Sequence, residues 1–168
     1  MQQQPWDIPA ATSLYNIDRW GAGYFGINEK GNVQVFPTKD TKTPIDIMEL
    51  VAEAKEHGLS FPMVLRFQDL LRHRVETINR AFASAIEEFK YQGVYRGVFP
   101  IKVNQLREVV EEILDAGKPF NFGLEVGSKP ELYAGLALQP EQGSLIICNG
   151  YKDAVFIRMA LMGIKLGK

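Results

Sequence analysis

Thiol and imidazole are scarce in this sequence: one cysteine, Cys148, and two histidines, His57 and His73, in 168 residues. A single cysteine excludes an internal disulfide framework and fits a reducing, cytoplasmic compartment. The two histidines stand apart, with no metal-ligand spacing around them. No Walker-type phosphate loop is present. No apolar run approaches the ~20 residues of a membrane-spanning helix, and Met1 to Asp7 lacks the basic and apolar regions of a signal peptide. Charge of one sign is also missing. Nineteen Lys and Arg face 20 Asp and Glu, a net charge of −1, which gives no support for binding nucleic acid or an anionic membrane. What the chain does have is 46% apolar residues, enough to pack a core, in a length that suits about one domain.

The first 13 residues read as a flexible tail. Residues 14–43 read as an N-terminal β segment. Ile17, Trp20, Tyr24, Phe25 and Ile27 precede Val33, Val35 and Phe36, and Asn28 to Asn32, with Gly31, supplies the hairpin turn. Thr43 and Pro44 then look like the cap and first residue of a helix. Ile47, Leu50, Val51 and Ala54 follow at helical spacing, and Gly58 ends the run. From residue 62 the pattern alternates. Strands are expected over Met63–Phe67, Val94–Asn104, Phe120–Val126 and Leu145–Asn149. Helices are expected from Leu71 to Phe89, from Leu106 to Gly117, after Ser128, and over Ala154–Met162, where Gly163 breaks the pattern. Four strand–helix units in succession point to an α/β fold with a parallel sheet. A (β/α)8 barrel typically takes ~250 residues, so residues 44–168 read as the first half of such a barrel. A complete open α/β sheet fits the same periodicity.

Active sites in parallel α/β folds gather where strands end. The four expected strands end near Arg66, Lys102, Glu125 and Asn149, the first three flanked by large apolar residues suited to the helix side. Alternation would send these four toward one mouth. A lysine at the end of a buried strand is easily deprotonated by desolvation, which a Schiff-base lysine requires. Each residue also has a plainer reading. Arg66 would pair with Asp69 at a solvated strand end. Glu125 would neutralise a neighbouring cation, and Asn149 would cap the last helix. Glu131, three residues after Ser128, reads as a capping group. Cys148 reads as a small core residue, His57 as a charge on a helix C-terminus, and His73 as part of a solvated helix face.

The run Gly97-Val98-Phe99-Pro100-Ile101-Lys102-Val103-Asn104-Gln105 closely resembles the lysine motif of the bacterial biosynthetic arginine decarboxylases. Residues 16–21, 65–69, 123–132 and 145–153 resemble four further blocks of that family, in the same order. Phe99 stands where many members carry tyrosine. The resemblance implies a pyridoxal-phosphate enzyme with an alanine-racemase-like barrel and a separate β domain, converting L-arginine to agmatine and CO2 on the route to putrescine and spermidine. It implies that Lys102 holds the cofactor as an imine and that Glu125 lies beside it; Arg66 and Asn149, at the other two strand ends, are expected to bind the cofactor with them. Magnesium as a second cofactor and a homo-oligomeric full-length enzyme follow from the resemblance alone.

The family's phosphate loop, pyridine-nitrogen partner and β domain are expected beyond residue 168, and the hairpin before residue 44 is expected to join that β domain. Residues 1–168 alone are therefore expected to be inactive. Two other readings remain open at this stage: a non-catalytic α/β binding module, and a related barrel decarboxylase acting on ornithine or diaminopimelate.

Overall fold

The structure is a computed structural model and describes residues 6–139 and 143–168. It divides into two compact units, one up to Leu70 and one from Leu71 to Lys168.

The first unit opens with helix α1, Ile8–Leu14, where a tail was expected; residues 1–5 of that tail lie outside the described residues. Asp7 caps α1 by accepting the Ala10 N–H at 2.8 Å, and proline stands in its first turn, where no N–H is needed. Ile17 and Trp20, read as β signals, form the short helix α2, Ile17–Trp20. The hairpin is therefore shorter than expected: β1, Phe25–Ile27, pairs antiparallel with β2, Val33–Val35. Asn28 folds the turn by accepting the N–H groups of Lys30 and Asn32, and Gly31 supplies the left-handed backbone, φ 79°.

A third strand, β3, Ile45–Asp46, pairs with β2, and helix α3, Ile47–Glu56, starts directly from it. The cap is Asp46 and not Thr43, because the Asp46 carboxylate accepts the N–H groups of Met48 and Glu49. This pairing moves the expected boundary at residue 44, since β3 and α3 belong with the hairpin. Gly58 follows α3 at φ 80°, as a helix C-terminus favours.

Asp46 also accepts the side-chain amides of Asn28 at 2.7 Å and Asn32 at 3.0 Å, so one carboxylate joins the hairpin turn to the helix start. The Asn32 amide, then Asn28 and the two backbone N–H groups, hold the Asp46 carboxyl below the usual aspartate range. Its folded pKa is thus lower than its unfolded one. The stabilisation is complete above the ordinary aspartate range and is lost as pH falls through the depressed value. Asp46→Asn retains a capping oxygen but cannot titrate. Acid titrations followed by circular dichroism should show a flatter pH dependence for this variant; parallel curves for variant and parent would contradict the assignment.

The second unit is an α/β layer. Helix α4, Gln68–Glu88, precedes β4, Val98–Pro100. Then come α5, Arg107–Gly117; β5, Gly123–Val126; α6, Lys129–Leu138; β6, Ile146–Cys148; and α7, Ala154–Lys165. The strands are parallel in the order β4-β5-β6, with Pro100 opposite Glu125 and Val126 opposite Cys148. Residues 63–67 form no strand. Met63, Leu65 and Phe67 are half-buried and Val64 and Arg66 exposed, so the alternation exists without a ladder partner. Three parallel strands, not four, stand among the described residues.

Leu124 and Val126 of β5 are fully buried with Val110 and Leu114 of α5, Leu132 of α6 and Phe156 of α7. Each such side chain stabilises the layer by about 1.5–3 kcal/mol. A second cluster, Val75 with Val109, Ile113 and Ala116, seals α4 to α5. Arg72 crosses the same seam to Glu112 and Asp115, and its guanidinium is the leading cause holding the Asp115 carboxyl below its usual range. Gly123 is required by closeness, because a Cβ there would sit 2.0 Å from the Leu145 carbonyl oxygen. Gly163 does not break α7, which runs on to Lys165. A Cβ at 163 would fall 2.4 Å from Leu136 Cδ2, so this glycine lets α7 approach α6.

Candidate active site

β4 ends at Pro100, and the chain turns at once into a single 3-10 turn, Ile101–Val103. Ile101 stays buried in the sheet–helix core while Lys102 and Val103 face outward. The strand alternation expected to run through Val103 therefore stops three residues early, and Val103 is 70% exposed instead of facing the helices. Lys102 is correspondingly less enclosed than a lysine on a buried strand: its side chain is 55% exposed.

The turn brings Lys102 Nζ to 3.4 Å from Glu125 Oε1. Glu125 is placed by β5, whose other face carries Leu124 and Val126 into the core. Its side chain is only 10% exposed. A carboxylate so enclosed needs partners, and it has two on one oxygen, because Asn149 Nδ2 also donates to Oε1, at 2.8 Å. Asn149 follows β6, is tied back by its own N–H to the Val126 carbonyl, and accepts the Gly150 N–H. Asn149 is thus a partner of Glu125, while the cap of α7 is Asp153, which accepts the Phe156 N–H. Lys129 bonds Asp153 at 2.5 Å and is the first cause holding that carboxyl below its usual range.

Three of the four expected strand-end residues meet at one carboxylate oxygen. Arg66, the fourth, belongs to the first unit, where it is exposed and in irregular chain. Cys148, at the end of β6, has its thiol pushed up by burial, with Lys152 pulling weakly the other way, so nothing activates it as a nucleophile. His57 lies beside Glu53 at 3.9 Å, on the surface of α3.

The plain capping role of Glu131 needs amendment. Its Oε2 accepts the N–H of Gly127 at 2.6 Å, one residue before the helix cap Ser128, and its Oε1 accepts from Gln105 Nε2 at 3.3 Å. Gln105 had no signal of its own, being a polar residue after an apolar strand; the Ser-x-x-Glu spacing at 128–131 was the visible half of the arrangement.

A primary amine half open to solvent beside an enclosed carboxylate suits an aldehyde-bearing cofactor held through the amine. Among the described residues no three His, Cys, Asp or Glu side chains gather in a cluster that could hold a metal ion. Nor is any described helix long and apolar enough to cross a membrane.

Residues 75–165 match the family model described as pyridoxal-dependent decarboxylase, pyridoxal binding domain. The biosynthetic arginine decarboxylase of Gloeobacter violaceus is 48% identical over 164 residues, covering 98% of this chain and 26% of that protein. The enzyme of the same name from a Prochlorococcus marinus strain is 48% identical over 163 residues, covering 97% of this chain and 25% of that protein. Among solved structures, the biosynthetic arginine decarboxylase SpeA of Campylobacter jejuni superposes with a TM-score of 0.82 at 36% identity, over 91% of this chain and 25% of that one. The chain spans about a quarter of the length of these relatives.

Proposed function

This chain belongs to the pyridoxal-dependent decarboxylases, through their pyridoxal-binding domain, and from that premise we propose that it is the N-terminal part of an arginine decarboxylase converting L-arginine to agmatine and CO2. The observation that carries the proposal is the contact of Lys102 Nζ with Glu125 Oε1 at 3.4 Å, at the C-terminal ends of two paired parallel strands. The 48% identity to an arginine decarboxylase over 98% of this chain supports arginine over ornithine or diaminopimelate. The three-stranded parallel sheet is an arc of a (β/α)8 barrel, and the antiparallel unit before it joins the β domain of the complete enzyme. That enzyme is a cytoplasmic homo-oligomer serving polyamine synthesis.

Pyridoxal phosphate, when bound, supplies an electron sink for the pair left behind as CO2 departs. Lys102 is the residue that would hold it, through Nζ. Glu125 Oε1 lies where it steadies positive charge at that nitrogen, and Asn149 Nδ2 fixes the carboxylate by a second bond to the same oxygen. A free Lys102 Nζ would stand beside Glu125, placed to hold or pass a proton. Arg66 and Asn149 are proposed as cofactor-binding residues, Asn149 from its place beside Glu125 and Arg66 from its place in the strand-end set read from the sequence.

The test is a substrate panel on the complete protein with pyridoxal phosphate. Agmatine should form from arginine with kcat/KM at least about 100-fold above that for ornithine or diaminopimelate, a margin within reach of a pocket built for a guanidinium. Preference for either other substrate would overturn the arginine assignment. Absence of bound cofactor would favour a non-catalytic module.

A further inference from the structure

We propose that Glu131 is a positioning residue for the Lys102–Glu125 pair, its carboxylate locking the chain that leaves the lysine turn to the chain that leaves β5. The inference rests on reading Lys102 as the cofactor lysine, and it adds a residue acting through the backbone on both members of the pair.

Pro100 opposite Glu125 is the last paired position of β4 and β5. Beyond it the two chains separate, one into the 3-10 turn bearing Lys102, the other toward Gly127 and α6. No ladder bond holds them past that point. Glu131 spans the gap. One oxygen takes the N–H of Gly127, two residues after Glu125; the other takes the amide of Gln105, three residues after Lys102.

Glu131 is itself well anchored. It sits in the first turn of α6, its N–H points to Ser128 Oγ at 3.4 Å, and the next residue, Leu132, is 1% exposed in the core. A side chain serving only as a cap would take the N–H of Ser128. This one reaches a residue further, toward Glu125. Packing does not perform the same task on that side. A cleft of about 660 Å³ runs beside the bridge, walled by Ile101, Gln105, Ser128, Glu131 and Ala134. The two loops are joined there by hydrogen bonds rather than by filled volume.

The experiment uses the complete protein with pyridoxal phosphate and compares Glu131→Ala, Glu131→Gln and Gln105→Ala. Glu131→Ala should lower kcat by about 10–100-fold, the scale on which small misplacements of reacting groups act, while KM for arginine moves by less than about threefold. The pH midpoint of the bound cofactor's absorbance should shift, and hydrogen exchange at the Gly127 amide should quicken. Glu131→Gln keeps an oxygen for the Gly127 N–H and should restore most of the rate. Gln105→Ala, at an exposed position, should give a smaller fall in the same direction. If Glu131→Ala melts earlier yet keeps kcat and the absorbance midpoint per folded molecule, Glu131 is only a helix cap and the proposal is overturned. Should that variant fail to fold, Gln105→Ala decides: an unchanged kcat and midpoint would also overturn it. An unsubstituted protein that shows no cofactor absorbance overturns the underlying reading, and is recognised before any variant is compared.

Discussion

Borohydride reduction of the complete protein with pyridoxal phosphate should leave the pyridoxyl group on Lys102, and Lys102→Ala should abolish decarboxylation. Several lysines compete in the second unit, and the structure separates them. Lys129 is bound to Asp153 at the surface between two helix starts, and Lys152 donates to the Gly150 carbonyl. Lys102 alone among these three stands against the enclosed Glu125, on a turn that follows a parallel strand. The expected loss is large because no neighbouring group replaces a covalent amine. By analogy with the removal of other covalent nucleophiles, about 10⁴-fold or more is expected. Exogenous small amines would restore little, since the amine is held in place by its turn. Peptide mapping that finds the label on Lys129 or Lys152, or an alanine variant retaining activity within about tenfold of the parent, would remove Lys102 from its role.

That Lys102 and Glu125 lie side by side was legible in the sequence for a specific reason. Both follow short apolar runs flanked by turn signals, and side-chain alternation on β5 does place Leu124 and Val126 on one face and Glu125 on the other. The same reasoning expected a strand ending at Arg66, and none forms there. Residues 63–67 alternate in burial as a strand would, but alternation reports which side chains are covered, not which backbone groups are paired.

Helix α1 was hidden by its length. Seven residues give too little periodicity, although Asp7 before Ile8 and Pro9 is a legible start signal. The break expected at Gly163 shows the opposite error, a residue read as punctuation when it was needed for a close helix contact. The turn at 101–103 was beyond reach of any pattern. Ile101, Lys102 and Val103 read equally well as strand, and only the end of pairing at Pro100 decides otherwise.

Glu125→Gln should cut turnover by about 10–100-fold, as the loss of one charge-assisted contact at a reacting centre does, and should leave the fold intact. The substitution preserves length and shape, and its amide oxygen can still accept from Asn149 Nδ2. What disappears is the negative charge facing Lys102. Stability should change little because Lys102 is more than half exposed, so water replaces its lost partner, and an ion pair so hydrated contributes no more than about 1 kcal/mol. Glu125 itself is nearly enclosed, and turning an enclosed carboxylate into a neutral amide also removes a desolvation cost. The two effects on folding oppose each other, whereas both effects on catalysis run the same way: less steadying of charge at Nζ and a less firmly oriented amine. The measurement is kcat beside a thermal or denaturant midpoint on the same preparation. A variant that keeps its turnover but loses its fold would show that the carboxylate serves the sheet, as the neutralising partner of a cation, and not the reaction.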